Sequence, residues 1–319
     1  MEIPHDIASA IHDEFHKAQN ILFLSHRNPD GDSVGSNLAL RLLAIRLGKK
    51  TASICPDKLH PKYGFLHLTE TFATEFNPED FDLLVSVDCG SMEQTGFPKD
   101  KLLSKDKKFI NIDHHPSNGN YGNINLVMEN AASTTIIIFH LLKEWKEDIT
   151  PEMATCLLAG IYTDTGSFMH SNTCDEVYEA AGELIALGAS QNLIVKNLFK
   201  QSSHEKMHLL GKILGSVNMT DKKVVISALR EQDFIDCGTD SSEMGGAIDY
   251  LNSVKGNRIA ALLTEDGKGN IRGSLRTRHE DINLTSIAEG LGGGGHRKAS
   301  GFTMKGHLQK EVRWTILPD

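Results

Sequence analysis

Short apolar runs recur along the first half of the chain, and each ends in an acid or a histidine. Residues 21–24 read as a buried strand, and residues 33–47 carry Val34, Leu38, Leu42 and Ile45 at helical spacing. Residues 81–87 form a second run that stops at Asp88, with Cys89 and Gly90 behind it. Residues 108–112 form a third, ending in Asp113, His114 and His115; residues 157–163 run into Asp164, Thr165 and Gly166. Around them, Ile3, Ile7, Ile11 and Phe15 predict an amphipathic first helix, 51–55 a strand, and 133–145 and 151–162 two further helices. Strands alternating with helices predict an α/β fold, with a mostly parallel sheet carrying helices on both faces.

From 175 to 214 the pattern is helical and increasingly polar. Strand-like segments at 224–229, 259–263 and 271–276 then alternate with helical ones at 244–251 and 283–291. The expected organisation is an N-terminal domain over 1–190, a helical linker over 191–215 and a smaller α/β domain over 216–319, with an active-site cleft between the domains.

The polar turn after the first run holds His26, Asp30 and Asp32, and Pro29 and Gly31 bend the chain so that these side chains can share a centre. An ordinary turn with Asp32 or Ser33 as helix N-cap is the competing reading of that stretch alone. Four such run ends in one domain change the balance, because they gather carboxylates that would repel one another and resist ionisation. Two divalent cations would neutralise four carboxylates, which favours a two-metal site over a single ion.

Together these stretches resemble the DHH phosphoesterase family. Its signatures stand in order as His26 with Asp30-Gly31-Asp32-Ser33-Val34-Gly35, then Asp88-Cys89-Gly90, Asp113-His114-His115, and Asp164-Thr165-Gly166. The segment from Gly292 to Phe302, with Gly293, Gly294, Gly295 and His296, resembles the glycine-rich motif of that family's associated C-terminal domain. The resemblance implies that His26 and Asp30 hold one ion, Asp32, His114 and Asp164 the other, and that Asp88 bridges them. It further implies that a bridging hydroxide attacks the phosphate, that His115 contacts the phosphate or protonates a leaving oxygen, and that Asp113 orients an imidazole. Mixed imidazole and carboxylate ligation favours manganese, with magnesium as the alternative.

The net charge of −9 on 319 residues argues against a partner such as long duplex nucleic acid, whose binding is largely counterion release by lysine and arginine. Local positive groups at Arg272, Arg276, Arg278 and Lys298 suit a small anionic substrate, and Arg276, His296 and the glycine amides are the expected substrate contacts. The five cysteines are scattered without a Cys-x-x-Cys pair, which fits a reducing cytoplasm, and no apolar run reaches the roughly 18 residues of a membrane span. His204-Glu205-Lys206-Met207-His208 matches the zinc-protease pattern but has no convincing third ligand, so it is read as a chance match.

Within the family the chain looks most like the branch that degrades very short RNA (nanoRNA) to mononucleotides and removes the 3′-phosphate of pAp. Short single-stranded RNA or DNA, or a nucleotide, is the expected substrate, and a homodimer is left open. A dinucleotide phosphodiesterase, a single-strand DNA exonuclease and a non-enzymatic nucleotide sensor are the alternatives.

Overall fold

The computed structural model describes residues 1–103, 107–200 and 202–309, and the chain divides into two units, Met1–Gln201 and Ser202–Asp319. The first unit runs α1 (His5–Lys17), β1 (Asn20–Leu24), α2 (Gly31–Arg46), β2 (Lys50–Ile54), β3 (Phe72–Ala73), β4 (Leu83–Val87), α3 (Lys99–Leu102), β5 (Lys108–Asp113) and β6 (Ile124–Val127), then α4 (Thr134–Glu144), α5 (Pro151–Asp164), α6 (Asp175–Ala186) and α7 (Gln191–Phe199). Its six strands are parallel, in the order β3-β2-β1-β4-β5-β6. The chain winds outward from β1 in one direction and from β4 in the other. The carboxyl ends of β1 and β4 therefore flank the point where strand order reverses, the place at which open α/β sheets bind ligands.

One face of the sheet, with Ile21, Phe23, Val85 and Ile112, packs against α1, α2 and α4, and α5 packs in turn on α2 and α4. The other, with Leu22, Leu24, Leu84 and Phe109, is covered more thinly, by Leu102 of α3 and the side chains of Met92, Phe81 and Phe97. The apolar stripe expected on α2 is only partly used. Val34 and Leu38 are buried, but Ile45 is 44% exposed, whereas Asp32, Ser33 and Asn37 are fully buried. The reason is that α2 is enclosed on most sides by the sheet and α5. At Gly35 a Cβ would stand 2.3 Å from the Cys156 carbonyl oxygen, so only glycine permits this close helix crossing.

The second unit runs α8 (His204–Gly215), β7 (Asn218–Met219), β8 (Val224–Leu229), α9 (Glu231–Cys237), α10 (Ala247–Asn252), β9 (Ile259–Glu265), β10 (Asn270–Arg276), α11 (Leu284–Glu289), β11 (Gly294–His296) and β12 (Ala299–Lys305). Its sheet, β11-β12-β10-β9-β8-β7, is antiparallel except for β8 and β9. The segment expected as a linker contains two helices that belong to different units. Ile194 of α7 joins the first core, and Leu209 and Ile213 of α8 join the second. Among the described residues no helix is long and apolar enough to cross a membrane.

Candidate active site

The turn after β1 is shaped by Asp30. It is the N-cap of α2, with Oδ1 accepting from the amides of Asp32 and Ser33 at 3.0 Å each. The capping role that the competing reading gave to Asp32 or Ser33 falls to Asp30, which leaves the Asp32 side chain for the site. His26 fixes its ring through Nδ1, 2.7 Å from the Arg27 carbonyl oxygen, and its Nε2 lies 3.9 Å from Asp30 Oδ1.

Asp88 follows β4 in the left-handed region, φ 57°, a conformation that non-glycine residues seldom adopt outside turns and functional sites. Its amide donates to the Ile112 carbonyl, which ties the turn to β5. The two carboxylate oxygens face different imidazoles: Oδ2 is 3.5 Å from His26 Nε2, and Oδ1 is 3.6 Å from His114 Nε2. His114 in turn has Nδ1 3.2 Å from the Ala131 carbonyl oxygen, and its Nε2 stands 3.2 Å from Asp164 Oδ2. When backbone carbonyls take the Nδ1 protons of His26 and His114, their Nε2 atoms are left as unprotonated donors, the usual preparation of a metal-ligating histidine.

Asp113 ends β5 fully buried, with Oδ1 2.7 Å from His115 Nδ1 and Oδ2 accepting from Asn118 Nδ2 at 2.6 Å. Burial works against its ionisation, but the hydrogen bonds from His115 and Asn118 and the adjacent imidazole charges outweigh that and hold it below the usual carboxylate range. For His115, burial favours the neutral ring, and the bond to Asp113 together with the surrounding carboxylates outweighs it, so its pKa rises.

Sequence reasoning missed the N-terminus of α4. Thr134 N–H donates to Asp32 Oδ2 at 2.6 Å, and Thr135 donates to Oδ1 from its amide (2.9 Å) and its hydroxyl (2.7 Å). The Thr134 hydroxyl also reaches Asp88 Oδ1, at 3.1 Å. The available signal was Ser133-Thr134-Thr135 ahead of an apolar helix, which marks a helix start without naming its partner. Gly160 of α5 lies against the same carboxylate, where a Cβ would meet Asp32 Oδ1 at 2.7 Å.

Asp164 closes the helix expected over 151–162. It is the last residue of α5, where the helix dipole opposes a negative charge. Burial, then the charges of Asp32 and Asp30, raise its pKa well above the ordinary range; burial and then Asp32, Asp30, Asp164 and Asp113 do the same to Asp88. Asp32 is raised too, chiefly by burial. Donor atoms of His26, Asp30 and Asp88, of Asp32, His114 and Asp164, and of Asp88, His114 and His115 lie within 4.8 Å of one another in each group. Carboxylates gathered where burial and mutual repulsion oppose their charge, beside two imidazoles prepared as donors, fit divalent cations.

The substrate contacts expected in the second unit are arranged differently. Arg276 ends β10 half-buried, with Nη1 donating to the Leu275 carbonyl at 3.0 Å and Nε 3.9 Å from Asp249 Oδ1. The Gly293 amide donates to the Ala288 carbonyl at 2.8 Å, and Gly294, Gly295 and His296 form β11, opposite Gly301, Ser300 and Ala299. A Cβ at Gly293 would stand 2.0 Å from the Gly301 carbonyl oxygen, so close strand packing accounts for that glycine. His204 and His208 lie side by side on the exposed side of α8, their rings tilted with centroids 4.2 Å apart, and among the described residues no third ligand joins them.

Residues 20–161 match the model of the DHH family, N-terminal domain, and residues 221–313 that of the DHHA1 domain. The bifunctional oligoribonuclease and PAP phosphatase NrnA of Thermus thermophilus is 30% identical over 290 residues, spanning 90% of this chain and 84% of that protein. The crystal structure of an exopolyphosphatase-related protein from Bacteroides fragilis superposes with a TM-score of 0.89 at 23% identity, covering 97% of this chain and 93% of its own. RecJ of Thermus thermophilus in complex with Mn2+ superposes with a TM-score of 0.57 at 16% identity, over 96% of this chain and 53% of RecJ. With its aspartate and histidine signatures converging at the switch point of a parallel sheet, and a DHHA1 domain after it, the chain belongs to the DHH family of phosphoesterases.

Proposed function

We propose that this chain hydrolyses short oligonucleotides to mononucleotides and removes the 3′-phosphate of pAp, with two divalent cations, manganese foremost. The observation that carries the two-cation reading is Asp88, whose oxygens address His26 on one side and His114 on the other. In this reading His26 and Asp30 hold one ion, Asp32, His114 and Asp164 hold the second, and Asp88 is shared. When bound, the cations would supply Lewis acidity and lower the pKa of a coordinated water. Asp113 grips His115 at Nδ1, which makes Nε2 the atom for contact with the phosphate or proton transfer to the leaving oxygen. Arg276, Gly293, Gly294, Gly295 and His296 are assigned to substrate binding. The oligoribonuclease and PAP phosphatase activities in the name of the Thermus relative support the substrate class. The Mn2+ in the RecJ structure, held on a related fold, is in keeping with manganese.

A net charge of −9 offers little attraction to a long phosphate backbone, so few phosphates are neutralised. The test is an end-labelled substrate panel that varies length, sugar and 5′-phosphate, run beside phosphate release from pAp, in manganese and in magnesium. The best kcat/KM is expected at roughly two to five nucleotides, with a shallow salt dependence. Equal or better turnover of long single strands would replace this reading with a single-strand exonuclease. Nucleotide binding without turnover in either metal would leave a sensor.

A further inference from the structure

A second cluster of ligand-type side chains in the first unit shares no residue with the carboxylates of the active site. His12 and His16 are one helical turn apart on α1, with ring centroids 4.1 Å apart, and Glu147 approaches them from the segment after α4. One donor atom from each of the three lies within 4.8 Å of the other two. These donors converge without satisfying one another, since His16 Nε2 is 3.9 Å from Glu147 Oε1, beyond hydrogen-bond reach.

The surroundings hold the cluster in place. Ile11 and Phe15 are buried, which anchors α1 on the core, and the edge of Trp145 lies against His12 with ring centroids 5.5 Å apart. Arg46 pairs with Glu147 Oε2, which fixes that carboxylate with Oε1 on the His16 side. Two neighbouring cations oppose a bound metal, but both are already engaged: Arg46 by Glu147 and the Asp148 carbonyl, and Lys49 by the His16 carbonyl.

We propose that His12, His16 and Glu147 form a zinc-binding site. Two imidazoles at i and i+4 on one helix with one carboxylate make a borderline, nitrogen-rich donor set, which zinc accepts tetrahedrally with water as fourth ligand. Manganese and magnesium favour oxygen-rich, six-coordinate sites, so this cluster and the carboxylate-rich active site select different metals. A zinc ion here ties α1 to the connection between α4 and α5.

The test is the amount of zinc bound per chain at saturation, measured on the full chain by equilibrium dialysis and atomic absorption. The wild type is compared with His12→Ala/His16→Ala and, separately, with Glu147→Gln, which keeps both imidazoles. The double variant is expected to bind about one zinc fewer per chain. Glu147→Gln is expected to weaken that same zinc by about 10-fold or more, as loss of one ligand charge implies. Zinc occupancy equal to wild type in Glu147→Gln at sub-saturating zinc, or an unchanged total in the double variant, overturns the proposal.

Discussion

Thr135 gives two hydrogen bonds to one oxygen of Asp32, from its amide at 2.9 Å and its hydroxyl at 2.7 Å. Thr134 adds a third, to the other oxygen. A carboxylate offers about four lone-pair sites, so Oδ2, with a single donor, is the oxygen that can also take a cation. The first turn of α4 therefore acts as a fixed support that orients the buried carboxylate of Asp32.

Thr135→Val keeps the amide bond and the shape of the side chain but removes the hydroxyl. Partners of this kind typically contribute 10- to 100-fold to metal affinity. Calorimetric titration with manganese should show weaker binding by about 10-fold, with the fold intact by circular dichroism. Unchanged affinity would mean that the two amides alone orient Asp32.

Asp88→Asn preserves volume and removes the charge that burial and four neighbouring aspartates oppose. Without metal the variant should be more stable than wild type, by about 2–4 °C in Tm for each 1 kcal/mol of relieved repulsion. Added manganese should raise the wild-type Tm and leave that of the variant nearly unmoved, with turnover lost on every substrate. A variant that still binds metal and turns over would remove Asp88 from its bridging role.

His115→Ala and Asp113→Asn separate proton transfer from metal holding. Both should retain manganese affinity within a few-fold. The alanine variant should lose about 10²- to 10⁴-fold in kcat, the usual range for a general acid or base. Asp113→Asn should lose less and move the alkaline limb of the kcat profile to lower pH, because His115, the proton donor, keeps its place but loses the anionic partner that raises its pKa. Equal loss of metal in both would recast His115 as a ligand.

Arg276→Ala tests the second unit. The guanidinium is half-buried, bonded to the Leu275 carbonyl and near Asp249, and burial pulls its pKa down against the effect of Asp249. KM on short substrates should rise about 10-fold, the scale of one charge-assisted hydrogen bond, with metal affinity unchanged. Unchanged kinetics would place the phosphate contact elsewhere.

The candidate site was legible in the sequence because each signature lies at the end of an element with a clear apolar pattern. Residues 21–24, 81–87 and 108–112 read as buried strands, and a parallel sheet carries all its carboxyl ends to one edge, which brings His26, Asp88 and His114 together. Tertiary structure alone decided which neighbours hold those side chains. Nothing local to Asp32 announces the amides of Thr134 and Thr135, since hydrogen-bond partners a hundred residues away are selected by how α2, α4 and α5 pack. The same packing brings Asp164, at the end of the helix already expected over 151–162, to His114. Tertiary packing likewise explains the glycine run, where backbone freedom was evident from composition but the use of that freedom, a strand lying against β12 after the close of α11, was set by contacts that form only in the folded chain.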